Sequence, residues 1–316
     1  MSGKYVTETA PANRAGIARA ASILRAGGLV AVPTETVYGL AARADSAPAV
    51  EKIYHAKGRP DFNPLIVHVR DADQAARYAT LSGTAARIAG TWWPGPLTLV
   101  LPRRTDAGLA PAVSAGLPTV AMRVPSHPIM RALLAECDFP LAAPSANRSG
   151  FISPTTAAHV LASLDGKIDL VLDAGACPAG VESTILAIRE DGSWEELRPG
   201  PFDLTALRGL PATGAPADPA GAPVEAPGQL ASHYAPGKPV RLNSQEPTSE
   251  EFMIGFGSIP GDVSLSAAGD LAEAAARLYS CLHDAARSDK PRIAVAPVPG
   301  DGIGIAINDR LRRAAA

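Results

Sequence analysis

Lys57 and Arg59 stand two residues apart, on either side of the flexible Gly58, in Lys57-Gly58-Arg59-Pro60. Two cations fixed in a glycine loop suit a polyphosphate, because they offset its charge and donate to its oxygens. The competing reading is a solvated basic loop. Pro144-Ser145-Ala146-Asn147 adds neutral donors for phosphate or sugar oxygens, although Ser and Asn are also ordinary turn residues. Thr34 and Thr36, in Pro33-Thr34-Glu35-Thr36, either bind a ligand or cap a following helix. His68 interrupts the apolar run Leu65-Ile66-Val67-His68-Val69, where a lone histidine is often structural. Arg123, in Ala121-Met122-Arg123-Val124, demands a buried partner or a ligand carboxylate. Glu182-Ser183-Thr184 is a further polar cluster.

Elements must bring these clusters together. Asn13 can cap a helix over 13–26, with Ile17, Ala21 and Leu24 on one face and Gly27-Gly28 as its stop. Strands are expected at 29–32, 65–69, 97–101, 119–123 and 168–172, with a short one near Leu141. Helical patterns lie near 71–90, 126–136 and 155–164, and 181–198 reads as a hairpin. Alternating strands and helices predict an α/β fold around a twisted mixed sheet. Loops beyond the strand ends of such sheets are where ligands bind, and the polar clusters fall there. The run from Pro211 to Pro227 is rich in Pro, Ala and Gly and reads as extended. Beyond it, strands near 240–242, 252–255 and 293–296 and one amphipathic helix through Leu271, Ala275, Leu278 and Leu282 form a smaller α/β domain. The expected division is 1–205, a linker or lid at 206–236, and 237–316.

Composition narrows the function. The 316 residues are 47% hydrophobic and 19% charged, with net charge −2, so any anion site is local rather than a basic coat. Cys137, Cys177 and Cys281 have no metal or disulfide spacing, which fits a reducing cytoplasm. No secretory start is recognisable, and no apolar run reaches the ~18 residues of a membrane span. A cytoplasmic protein without membrane contact is expected. No phosphate-loop motif, zinc-spaced histidine pair or nucleophile elbow is present. Gly255-Phe256-Gly257-Ser258-Ile259-Pro260-Gly261 misses the dinucleotide fingerprint by one residue and reads as a tight turn.

Taken together the clusters resemble the YrdC/Sua5 family of threonylcarbamoyl-AMP synthases, in its longer Sua5 form. The resemblance runs through PTETVYGL at 33–40, KGRP at 57–60, NPLIVHV at 63–69, WPGPLTLVL at 93–101, AMRVP at 121–125 and APSANRSG at 143–150. It continues through VESTI at 181–185, LRPG at 197–200 and SHYAP at 232–236. It implies a mixed α/β sheet with a positively lined cavity, followed by a small Rossmann-like domain. It also implies a reaction: threonine, bicarbonate and ATP yield threonylcarbamoyl-AMP and pyrophosphate, for N6-threonylcarbamoyladenosine formation in tRNA. By resemblance Lys57 and Arg59 carry the catalysis and, with Ser145 and Asn147, bind phosphate. Asn63, Thr119, Ser153, Arg198 and Tyr234 are further ATP contacts. Thr36, His68, Arg123 and Ser183 form the threonine site, with Thr34 and Thr36 free to exchange roles. Nucleotidyl transfer rests on positioning and charge neutralisation, so Mg2+ is expected on the triphosphate, held by phosphates and water. The implied partners are ATP, L-threonine, bicarbonate and the threonylcarbamoyl transferase machinery acting on tRNA.

Two other readings share these residues. One is a non-catalytic module that binds tRNA or double-stranded RNA through Lys57, Arg59, Arg123 and Arg148, which the net charge does not favour. The other is a carbamoyl-transfer domain of hydrogenase-maturation type, whose zinc-finger and acylphosphatase segments are not evident. The stretch from Pro227 to Pro236 is expected to close over the cavity, with Tyr234 reaching the nucleotide.

Overall fold

A computed structural model describes residues 6–81, 83–212, 225–229 and 232–316. The first strands are β1 (Glu8–Pro11), β2 (Val30–Val32), β3 (Gly39–Arg43), β4 (Ile66–His68) and β5 (Leu97–Pro102). They are followed by β6 (Thr119–Arg123), β7 (Leu141–Ala142), β8 (Leu170–Asp173), β9 (Thr184–Ile188) and β10 (Trp194–Arg198). Among the described residues these form one mixed sheet in the order β1-β8-β2-β3-β7-β4-β6-β5-β9-β10. Helices α1 (Arg14–Arg25), α2 (Ala47–Lys57), α3 (Ala72–Ala75), α4 (Gly83–Trp92), α5 (Pro128–Glu136) and α6 (Ala157–Leu164) connect them. Asn13 accepts from the Gly16 amide and starts α1. Gly58, in left-handed conformation at φ 59°, ends α2 and turns the chain between Lys57 and Arg59, as only glycine does readily.

Three expectations change. No helix follows Thr34 and Thr36: Gly39–Arg43 is a strand, paired with β2 and β7, so these threonines are not helix caps. The pattern near 71–90 is two helices. The second domain has four parallel strands, β11 (Val240–Arg241), β12 (Glu251–Gly255), β13 (Val263–Ser264) and β14 (Arg292–Val295), in the order β11-β14-β12-β13. It also has a second helix, α8 (Gly304–Ala315), beside the expected α7 (Leu271–Arg287). Residues 256–259 make the tight turn, with reciprocal backbone bonds between Phe256 and Ile259. The three cysteines are free and buried.

Most of the linker run, 213–224, and residues 230–231 lie outside the described residues. Around it, Leu207 is buried in the core of the first domain with Phe202, Leu204 and Leu210 against it. The 225–229 segment returns to the sheet. Ala226 packs on Ile66, Val100, Ala121, Ile185 and Ala187, one apolar patch on one face of four strands.

Candidate active site

The site is a row of polar residues across that face. His68 on β4 is in register with Arg123 on β6, and Arg123 with Thr98 on β5. Thr98 Oγ1 lies 2.8 Å from Ser183 Oγ, just before β9. Adjacent strands are about 4.8 Å apart, so three of the four expected threonine-site residues, joined by Thr98, line up along the sheet. One row over on the same face, two residues before His68 and Arg123 and two after Thr98, lie Ile66, Ala121 and Val100, the patch beneath Ala226. Period-two alternation puts Thr119 on the same face, one row farther out.

A small cavity opens on this row. Thr34, Thr36, Arg59, His68, Arg123, Ser145, Ser183, Arg198 and Tyr234 line it, and Pro227, Gly228 and His233 complete the wall. Lys57, Asn63, Thr119, Asn147 and Ser153 are not on the lining. Four of these hold the wall from behind. Lys57 is 1% exposed and donates to the carbonyls of Ser145 and Asn147, both at 2.6 Å, so it shapes the Ser145–Asn147 loop. Asn147 commits its amide donors to the Arg148 and Phe151 carbonyls. Asn63 Oδ1 accepts from Arg59 at 2.7 Å, and Ser153 Oγ donates to Glu182 Oε1 at 2.5 Å.

Arg59 is held by Asn63 and by the carbonyls of Asn63 and Pro64. Arg198 is held by the Ser183 carbonyl and hydroxyl and by the Pro227 carbonyl. Neither these two nor Lys57 has a carboxylate within ion-pair distance among the described residues. Burial pushes the Lys57 ammonium well below its ordinary pKa, takes Arg59 down to about 10 and lowers Arg198. Arg59 and Arg198, desolvated on the lining and held by neutral acceptors, make a local anion site, with Lys57 behind the wall.

Arg123 differs. Its guanidinium meets Glu35 Oε1 at 2.6 Å and donates to Thr36 Oγ1 at 3.0 Å. The buried partner that the sequence demanded therefore exists inside the chain, and Glu35 is a site residue that was missed, although it stands between the two threonines. Burial alone would raise Glu35, but Arg123 holds it ionised. His68 is pressed by burial, and by Arg123, down to about 3; its neutral ring leaves Nδ1 without a partner. His233 is likewise held at about 3, mainly by burial, and its Nδ1 is also unpartnered. Neutral imidazoles with open nitrogens suit a polar ligand, not an anion.

The two threonines separate by their bonds. Thr34 Oγ1 donates to the Val37 carbonyl and accepts from the amides of Thr36 and Val37, which occupies it in the turn. Thr36 Oγ1 lies between Thr34 and Arg123. Thr34→Val is expected to lower folding stability by about 1–3 kcal/mol, the cost of stranded buried amides. Thr36→Val should leave the turn and weaken ligand binding. Denaturation midpoints and threonine titrations of the two variants check this, and the reverse pattern would exchange their roles.

Tyr234 is 1% exposed and left-handed at φ 65°, a strained state for a bulky residue. A Cβ on Gly228 would lie 2.9 Å from Arg198 Cδ and 3.3 Å from Tyr234 Oη, so only glycine lets the roof close this tightly. Glu182, read from sequence only as part of a polar cluster, and His233 are further lining residues; Thr98, bonded to Ser183, was missed, although it had a signal as the polar residue in the apolar run Leu97–Leu101.

No helix among the described residues is long and apolar enough to cross a membrane. The family model "Telomere recombination" for Sua5, YciO and YrdC matches residues 22–200, and "Threonylcarbamoyl-AMP synthase, C-terminal domain" matches 201–316. The threonylcarbamoyl-AMP synthase of Bacillus subtilis (strain 168) is 40% identical, over 98% of this chain and 96% of that one. That of Pyrococcus abyssi is 37% identical, over 93% and 92%. A crystal structure of P. abyssi Sua5 complexed with L-threonine superposes with a TM-score of 0.85 at 35% identity, covering 98% of this chain and 97% of that one. The chain belongs to the Sua5/YciO/YrdC family and carries both the Sua5/YciO/YrdC domain and the Sua5 C-terminal domain.

Proposed function

We propose that the chain is an L-threonylcarbamoyladenylate synthase, a nucleotidyltransferase that forms threonylcarbamoyl-AMP and pyrophosphate from L-threonine, bicarbonate and ATP. The observation that carries this reading is one cavity lined both by two arginines, Arg59 and Arg198, with no carboxylate at ion-pair distance among the described residues, and by a row of polar side chains. Threonine amine adds to bicarbonate with loss of water, giving a carbamate. A carbamate oxygen then attacks the α-phosphorus and pyrophosphate leaves. Arg59, Arg198 and Ser145 meet the triphosphate, with Lys57, Asn63, Asn147 and Ser153 supporting the wall and Thr119 farther along the face. Thr36, His68, Ser183 and the Arg123 fork receive threonine, and Tyr234 covers the nucleotide. Magnesium enters on the triphosphate, held by phosphates and water. The one carboxylate on the lining, Glu182, is already engaged by Ser153, Tyr279 and Arg310. The adenylate passes to the transferase machinery that modifies tRNA, and tRNA contact through Arg148 belongs to that handover. A roof over the cavity would shield an adenylate from hydrolysis.

Pyrophosphate release should require both threonine and bicarbonate; equal release from ATP alone would refute the synthase reading. Arg59→Ala should weaken ATP binding by about 1.5–3 kcal/mol, on the order of 10–150-fold, because a charge-assisted contact is lost. Calorimetry should find threonine binding little changed in this variant.

A further inference from the structure

A polar junction joins the second domain to the cavity wall. Glu182, 6% exposed, accepts from Ser153 Oγ at 2.5 Å, Tyr279 Oη at 2.8 Å and Arg310 Nε at 3.1 Å. Ser153 belongs to the first domain, Tyr279 to α7 and Arg310 to α8. Arg310 has no exposed surface. It also donates to the Pro199 carbonyl at 2.7 Å and stands 5.7 Å from the centre of the Tyr234 ring. The Tyr234 and Tyr279 rings are 5.6 Å apart. The 180–183 backbone lies against α7: a Cβ on Gly180 would fall 2.3 Å from the Ala275 carbonyl oxygen, and Gly180 has φ 71°.

We propose that Glu182, Tyr279 and Arg310 are positioning residues, through which the second domain fixes two walls of the cavity at once. One wall is Ser183, the next residue after Glu182, whose carbonyl and hydroxyl carry Arg198. The other is Tyr234, over Arg310. The inference rests on the synthase reading. Adhesion alone does not call for such a junction, since apolar residues of equal volume hold buried surfaces together as well as a buried ion pair does. Directional bonds fix register, and here they fix it where the nucleotide-side and threonine-side residues meet. Burial alone would raise Glu182, but Arg310 and Arg198, with bonds from Ser153 and Tyr279, hold it at about 2. It therefore remains an acceptor at working pH and takes no part in proton transfer.

The test uses the full chain in two variants. Glu182→Gln with Arg310→Met removes the Glu182–Arg310 pair and leaves Asp309, the other carboxylate on Arg310, to its remaining partner Arg313, and Tyr279→Phe removes one bond while leaving the ion pair. Each is assayed well below its own melting midpoint. The double variant should raise KM for ATP and for threonine together, on the order of ten-fold, since small misplacements of binding groups weaken productive binding steeply. Tyr279→Phe should shift both in the same direction by less. A folded double variant with both KM values unchanged, or with only one moved, overturns the proposal. If the double variant does not fold, unchanged constants in Tyr279→Phe overturn it. Calorimetric ATP affinity of wild type and variants reads the junction without turnover. A wild type that releases no threonine-dependent pyrophosphate would therefore refute the synthase reading while the junction was still judged on binding.

Discussion

Arg123→Met alone is expected to lose about 3–5 kcal/mol of folding stability, the usual cost of stranding one partner of a buried ion pair. Arg123→Met combined with Glu35→Gln should recover most of that loss, yet threonine-dependent turnover should stay abolished. Arg123 is 3% exposed, and its ion pair with Glu35 is among the most buried in the chain. Removing the arginine leaves a buried carboxylate without its counter-charge, with backbone donors such as the His127 amide at 3.3 Å remaining. The double change removes both charges and separates stability from chemistry. Only if the guanidinium also meets threonine will turnover stay lost in the stable double variant. Urea unfolding and threonine calorimetry decide the matter. A double variant with normal threonine dependence would make Arg123 a structural residue and remove it from the threonine site.

Stability is expected to fall steeply as the pH drops below about 6.5, where unfolded histidines take up protons. The sign follows from burial. His68, His233 and His283 are depressed to about 3 and His159 to about 4, in each case chiefly by burial. The folded state refuses protons that the unfolded state accepts, so this stability is fully present above about 6.5 and is lost toward the folded values. Each imidazole that stays neutral costs about 1.6 kcal/mol between pH 6.5 and 5. His159 and His283 stack at 3.9 Å across the domain boundary. Glu35 and Glu182 act in the same direction below their ordinary value of 4.5. Urea unfolding at pH 7.5, 6 and 5 should give falling free energies and an uptake of more than one proton. A flat profile would mean that the rings are not held neutral.

Much of this was legible in the residues. Asn13, Gly58 and the apolar strand around Arg123 carry local signals strong enough to fix a cap, a turn and a buried charge. β3 was not legible, because Gly39-Leu40-Ala41-Ala42-Arg43 has no β-branched residue. Its strand state comes from pairing on both sides, which is tertiary. α8 does have Ile307, Leu311 and Ala314 at helical spacing, but no side chain caps its start, so its beginning carried no mark. In the site, motif residues were readable one at a time, while their partners were not. Lys57 is matched by two backbone carbonyls, and no sequence pattern announces a carbonyl. Glu182 is matched by residues 97 and 128 positions away. Such a distance leaves no local trace.

That separation also orders events during synthesis. β1 pairs with β8, Glu8 opposite Leu170, so the edge of the large sheet cannot form until more than half of the chain has left the ribosome. Glu182 follows soon after, but Tyr279 and Arg310 emerge only with α7 and α8. A nascent first domain that closed early would hold a carboxylate with its counter-charge still unmade. An unpaired buried charge resists burial, and before α8 is made Arg198 is the only cation of the pair that acts on Glu182. The 180–183 part of the cavity wall is therefore expected to gain its full stability only once the second domain supplies Tyr279 and Arg310.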